Sequence, residues 1–440
     1  MNAAAPTLET DELQRGGRLQ RRTVAVLAAA TILGGLGVGA SLSVGALLLA
    51  EVSGNDAISG LGSAMFNAGA AVAGIPLARV AARHGRRRAL VTGSAIAMLG
   101  AVVAIYSTVV VQWWLLAVGI AMLGVASSVQ LMSRFAATDL ALPKNRARDL
   151  SLVAWAITVG AVVGPNLMGP GAVVGEALGV TPLAGVFAFP FVAQILAVLV
   201  NWFGLRPDPL LTARRLPPET DSVPTVPAAP VESGGATAVV DGASRAGSRR
   251  AGSGSRSAPR SNRPQVLTVF MIAMAQAIMV AIMAMTPLHL MHHEGTPHLV
   301  GVTLSLHIAG MYALSPVFGV LAGRIGRLQV IGIGWAMLLG AVALAYFAGP
   351  SHALVQIALV LLGLGWGAIT VAGAALLTEV TPSADRPRWQ GRSDTIMSAA
   401  GAIAGALSGV VFAIGDFSFL ALVSGGLLAL GALAMLWVRR

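Results

Sequence analysis

The chain has 440 residues, of which 56% are hydrophobic and 11% charged. A soluble domain carries about 25% charged residues, so this composition excludes an ordinary soluble fold and puts most of the chain in lipid. It contains no cysteine, which excludes disulfides, thiolate metal sites and thiol redox chemistry.

The polar segment 1–22 reads as an N-terminal tail. The apolar run after it extends for about 25 residues, enough to cross a bilayer and too long for the hydrophobic region of a cleaved signal peptide. Twelve runs of spanning length follow one another at 23–48, 58–82, 89–108, 112–136, 150–173, 183–205, 265–288, 299–322, 328–348, 352–378, 393–415 and 417–438. Each is near the roughly 20 residues a helix needs to cross the hydrocarbon core. None alternates as a barrel strand would, so the expected fold class is an all-α membrane protein of twelve transmembrane helices, numbered below as spans 1 to 12. Segments 23–205 and 265–440 form two halves of six spans each. The segment between them, 206–264, is rich in Pro, Gly, Ser, Ala and Arg and has no apolar period. It is expected to be a disordered, basic tether.

With twelve spans, all 29 basic residues fall in the tail, the even-to-odd loops, the linker and the C-terminus. The positive-inside rule makes that face the cytoplasm, with both termini inside. A miscounted helix would scatter these charges to both faces.

The halves repeat one another. Arg83-His84-Gly85-Arg86-Arg87-Arg88 follows span 2, and Arg324-Ile325-Gly326-Arg327 follows span 8, the second span of the second half. These loops resemble the signature of the major facilitator superfamily, roughly G-x-L-a-D-r-x-G-r-[KR]. The resemblance implies two pseudo-symmetric six-helix bundles around a central cavity, consistent with an internal repeat. It also implies that Arg83, Gly85, Arg86, Arg87, Arg324, Gly326 and Arg327 form gating loops. In that family the signature Asp helps hold the cytoplasmic gate closed. Here that position is Ala82 in the first copy and Gly323 in the second, so gating must use other contacts.

Span 5 carries Gly160, Gly164, Pro165, Gly169 and Pro170. Small residues four apart let helix backbones approach closely, and the prolines bend a helix. This is a packing motif that resembles the G-x-x-x-G-P element of many proton-linked antiporters in the superfamily.

Proton-coupled carriers commonly use intramembrane carboxylates. The 18 acidic residues lie in the tail, the linker, the outer loops and the inner helix ends, with Asp139 and Asp394 in the last group. None is placed at mid-membrane. Among the seven histidines only His307 falls in the interior of a span; His84 and His352 lie at loops, and His289, His292, His293 and His298 fall in the turn after span 7.

Met279 and Met283 in span 7, and His307 and Met311 in span 8, are two i,i+4 pairs, so each pair shares a helix face. At about 1.5 Å rise per residue they fall at matching depths on the outer side of the midplane. Thioether and imidazole suit a soft ion such as Cu(I). Ordinary packing is the competing account of the methionines, which fill gaps in apolar helices. A ring in hydrocarbon is costly, but His307 could satisfy itself on a backbone carbonyl or on Gln276. The pairing, its helices and its order resemble the CcoA-like copper importers, bacterial inner-membrane members of the superfamily. The resemblance implies that Met279, Met283, His307 and Met311 bind copper during translocation. Some of those importers also depend on cysteines, which this chain lacks.

The sequence therefore points to a secondary transporter working by alternating access, since no G-x-x-x-x-G-K-[ST] ATP-binding motif occurs. The leading cargo is copper, taken up across the bacterial plasma membrane, with the four outer histidines as an entry set. Proton-coupled efflux of drugs or small molecules, or riboflavin-like solute transport, is the alternative. A transporter-like metal sensor is a third. No resident cofactor, no enzymatic activity and no nucleic-acid partner are expected. The partners are membrane lipid and the cargo, and the carrier is expected to act as a monomer.

Overall fold

The structure is a computed structural model that describes residues 5–142, 145–215, 262–382 and 385–438. Among the described residues all regular structure is helical. Eleven helical stretches are long and apolar enough to cross a membrane. The last, Arg386–Val438, has 53 residues and loses helical geometry at Gly415 and Asp416, where Asp416 takes φ 58°. An unbroken helix of that length would measure roughly 80 Å, more than twice the hydrocarbon core. The break divides it into spans 11 and 12, and twelve spans result.

Three boundaries differ from the sequence reading. Span 1 is helical over Ala5–Ser53, so the helix begins inside the expected tail. Segment 7–22 is rich in Leu, Glu, Gln and Arg, all good helix formers. Gln20 ties that extension down by donating to the Ala137 carbonyl (2.8 Å) and to Asp149 (2.6 Å). Span 8 is two pieces, Pro297–Tyr312 and Ser315–Arg324, because Pro316 has no N–H to continue the ladder. The linker begins with structure: Asp208 caps a short helix, Pro209–Ala213. The rest of the expected tether, 216–261, lies outside the described residues.

Span 5 runs as an α-helix over Arg146–Val163, tightens to a 3₁₀ turn at Gly164–Leu167 and resumes over Met168–Ala177. Pro165 at the tightened turn explains the change of pitch. On its face, Gly160 and Gly164 lie against Gly35 and Gly39 of span 1. A Cβ on Gly160 would meet the Ile32 carbonyl and stand 2.9 Å from the Leu36 nitrogen, and one on Gly164 would stand 2.7 Å from the Ala40 nitrogen. A Cβ on Gly169 would have nothing within 4 Å.

The halves meet through spans 1 and 7, 2 and 11, and 5 and 8. Their contacts gather at the face opposite the arginine loops. Gly60, at the start of span 2, abuts span 11 so closely that a Cβ there would stand 2.7 Å from the Gly409 nitrogen. Asn166 donates to Ser305 Oγ (2.7 Å), Ser305 donates to the Val162 carbonyl (2.6 Å), and Ser59 Oγ lies 3.4 Å from Met285 Sδ. The two halves are therefore closed together on the arginine-poor face.

Candidate functional site

The soft-ligand residues are all interior. Relative exposure is 4% for Met279, 4% for Met283, 0% for His307 and 6% for Met311. The His307 ring is fixed by one nitrogen, with Nδ1 2.8 Å from the Leu359 carbonyl of span 10 (His352–Glu379). A carbonyl only accepts, so Nδ1 carries the proton and Nε2 keeps its lone pair. That Nε2 is buried, with no hydrogen-bond partner among the described residues. Gln276, the other partner open to His307, instead accepts from Trp366 Nε1 (2.7 Å).

Span 10 packs on both span 7 and span 8, whereas spans 7 and 8 touch each other little. Its glycines allow this. A Cβ on Gly363 would meet the His307 carbonyl and stand 3.1 Å from the Met311 nitrogen, and one on Gly367 would stand 2.7 Å from the Met311 carbonyl. The His307 and Met311 pair thus lies against a glycine-bearing face of span 10.

Of the histidines after span 7, His289 and His293 come together, with ring centroids 4.4 Å apart. Span 7 continues as helix to His292, so His289 and His292 belong to its last turn and His293 caps it. His289 does not face outward: it is buried, stacked on Phe417 with ring centroids 4.4 Å apart, and bonded through Nε2 to the Gly349 carbonyl (3.0 Å). His293 Nδ1 bonds the His289 carbonyl (2.9 Å), and His298 is exposed. Among the described residues no three His, Asp or Glu side chains come together as a metal site. His292 Nε2 lies 3.5 Å from Asp56 Oδ2, a contact between the halves whose partners are each 44% exposed. Exposed pairs contribute about 0–1 kcal/mol. Accordingly, His292→Ala should change labelling of a reporter cysteine at buried Ser63, beside span 11, by less than about fivefold.

A second group of side chains was not picked out by the sequence reading. Trp366 of span 10, held by Gln276 of span 7, meets Tyr312 of span 8 edge-on at 5.8 Å. A Cβ on Gly401 of span 11 would lie 3.1 Å from both Asn67 Oδ1 and Gln276 Nε2, so Asn67 of span 2 joins the same level across the halves. Arg134 of span 4 interacts electrostatically with Tyr312 and with Asp394 of span 11. Arg134 lies in the last turn of its helix, Trp113–Ala136, and Asp394 lies about two turns after the start of Arg386–Val438.

The two arginine loops are built alike in the two halves. Gly85 has φ 91° and Gly326 φ 103°, a region where other residues are strained. Arg86 pairs with Asp139 at 2.9 Å, and Arg327 with Glu379 at 2.8 Å, each joining the third helix of its half to the end of the fourth. Arg83 and Arg324 are exposed. Burial pushes the Asp139 carboxyl up, and the hydrogen bond and charge of Arg86 oppose that shift.

The Major Facilitator Superfamily matches residues 27–295 and 265–440, nearly the whole chain. The chain belongs to this superfamily. As a member, it is a multi-pass membrane protein of a secondary-transporter family. It is 35% identical over 422 residues to the uncharacterized MFS-type transporter YdeG of Bacillus subtilis (strain 168), covering 96% of this chain and 93% of the relative. It is 28% identical over 384 residues to the riboflavin transporter RfnT of Brucella anthropi, covering 86% and 85%. The solved structure of a mutant of the nucleoside transporter NupG matches with TM-score 0.66 at 13% identity, covering 95% of this chain and 100% of that one. At that identity the likeness shows the superfamily fold alone.

Proposed function

We propose that this carrier takes up copper as Cu(I) across the bacterial plasma membrane, with the arginine-rich face in the cytoplasm. Met279, Met283, His307 and Met311 serve as its successive ligands. The observation that carries the reading is the state of His307. Its Nδ1 proton is committed to the Leu359 carbonyl, and its buried Nε2 has no partner among the described residues. Ligating histidines characteristically hold the other ring nitrogen on a carbonyl or carboxylate in this way. A buried polar atom left unpaired costs about 1–3 kcal/mol, which a passing soft cation would offset. Three thioethers and one imidazole select Cu(I) over harder ions, and without a thiolate they release it readily.

The test is copper accumulation in cells making the full chain. His307→Ala should lower it by about tenfold or more, the loss typical of a first-rank ligand or its support. Met283→Leu, which keeps the volume, should lower it as well. Unchanged copper content in both variants would overturn the proposal.

A second reading rests on the aromatic and amide group at Trp366, Gln276, Tyr312 and Asn67. Such surfaces stack on and hydrogen-bond to a flat organic solute, and RfnT supplies a relative named for one. Under this reading Trp366→Ala and Gln276→Ala abolish riboflavin uptake while His307→Ala leaves it intact.

A further inference from the structure

The first signature loop lacks its acid, since position 82 is alanine. A carboxylate nevertheless occupies its turn. Asp208, three residues beyond the end of span 6, places Oδ2 2.8 Å from the Arg87 backbone nitrogen, which donates to it. Its other oxygen, Oδ1, accepts from the Leu210 and Leu211 nitrogens at 3.0 and 3.1 Å. The carboxylate lies so close over Gly85 that a Cβ there would overlap it. Arg214, one turn further on, donates to the Ala82 carbonyl (2.9 Å), and Arg87 lies over the Trp202 ring at 4.9 Å. The stretch of chain that carries Asp208 is anchored at its start by Leu205, 1% exposed among Leu77, Ala81, Ala89 and Leu90. The second loop has no such visitor among the described residues: over Gly326 it is Gln329, from the loop's own helix, that fills the space.

We propose that Asp208 is the positioning residue of the first gating loop, doing from the start of the linker what the signature carboxylate does from position 82. The linker's first ten residues are then part of the gate rather than a tether. The chemistry requires an acid specifically. A carboxylate has two accepting oxygens, and here one serves the start of span 3 while the other caps the short helix. An amide has one acceptor and cannot do both. With Arg86 held by Asp139 and Arg87 by Asp208 and Trp202, the exposed Arg83 and Arg88 are presented by a fixed frame. Closure of the arginine-rich face needs that frame. Loss of the carboxylate therefore favours the conformation described here, which is closed on the opposite face. The inference does not depend on the cargo.

The absence of cysteine makes the test clean. A single Ser63→Cys reporter sits in the contact between spans 2 and 11, and a Leu205→Cys reporter sits under the linker's first residues. In membranes, Asp208→Asn should slow maleimide labelling of the Ser63→Cys reporter by about tenfold, the shift set by one charge-assisted hydrogen bond. The Leu205→Cys reporter should stay protected, since Asn caps the short helix as well as Asp. Restoring the signature acid in the Ala82→Asp/Asp208→Asn double variant should return the rate at the first reporter towards wild type. Wild-type labelling in Asp208→Asn, or failure of Ala82→Asp to restore the rate while the second reporter remains protected, would overturn the proposal. Labelling of the Leu205→Cys reporter in Asp208→Asn would also overturn it, because the residue would then be holding the segment down and nothing more.

Discussion

Gly160→Val should leave little folded carrier. Spans 1 and 5 touch backbone to backbone at this point, and a Cβ on Gly160 would run into the Ile32 carbonyl and come within 2.9 Å of the Leu36 nitrogen. Neither is the yielding end of a side chain. Both belong to the helix ladder of span 1, so the helices would have to part along the whole seam that Gly35, Gly39, Gly160 and Gly164 form together. Overpacking of a core commonly costs about 1–3 kcal/mol and more where nothing can move. Here the cost should reach about 3 kcal/mol, a large share of the margin of a typical fold. Thermal unfolding of detergent-purified protein should show a drop of several degrees or more, with a lower yield of monodisperse carrier. Gly169→Ala supplies the control, since it alters the same stretch at a position where a Cβ has nothing within 4 Å. It should shift stability by no more than about 0.5 kcal/mol. Equal damage from both variants would show that the seam is not what these glycines serve.

That contrast also shows how far a sequence can be read. Span number, the two-half repeat and the turn glycines were legible because each follows from a local rule: length against bilayer thickness, the same loop recurring after the second span of each half, and positive φ against Gly85 and Gly326. The Gly160 motif was legible as close packing but not as to which of its members packs, because that depends on which face meets span 1. Asp208 was invisible for a related reason. It lies far along the chain from Ala82, and nothing near it in the sequence says that span 6 ends beside the loop between spans 2 and 3. His307 was readable as an anomaly, while its partner among several carbonyls was not. That span 10 packs on both span 7 and span 8, which touch each other little, is a property of the bundle. Helical periodicity fixes a residue's face and depth, and says nothing of which neighbour that face meets. The same limit concealed the group at Trp366, Tyr312 and Asn67, whose members come from spans far apart in the chain.

Gly409→Leu should hold the carrier open on the arginine-poor face and stop transport. A Cβ there would come within 2.5 Å of the Ala57 carbonyl and 2.8 Å of the Gly60 nitrogen, and a leucine adds three further carbons. Unlike the seam at Gly160, this contact lies between the halves. Separating it need not disturb the packing within either one. The two faces of an alternating carrier differ by a few kcal/mol, and overpacking of about 1–3 kcal/mol is of the same size. The expected result is a folded protein with a wild-type melting profile, maleimide labelling of the Ser63→Cys reporter faster by about tenfold or more, and transport lower by a similar factor. Asp208→Asn is predicted to move the same reporter the other way, so the double variant should fall between the two. If Gly409→Leu melts like Gly160→Val instead, spans 2 and 11 are a permanent part of the core. The face that closes in this structure would then not be one that opens.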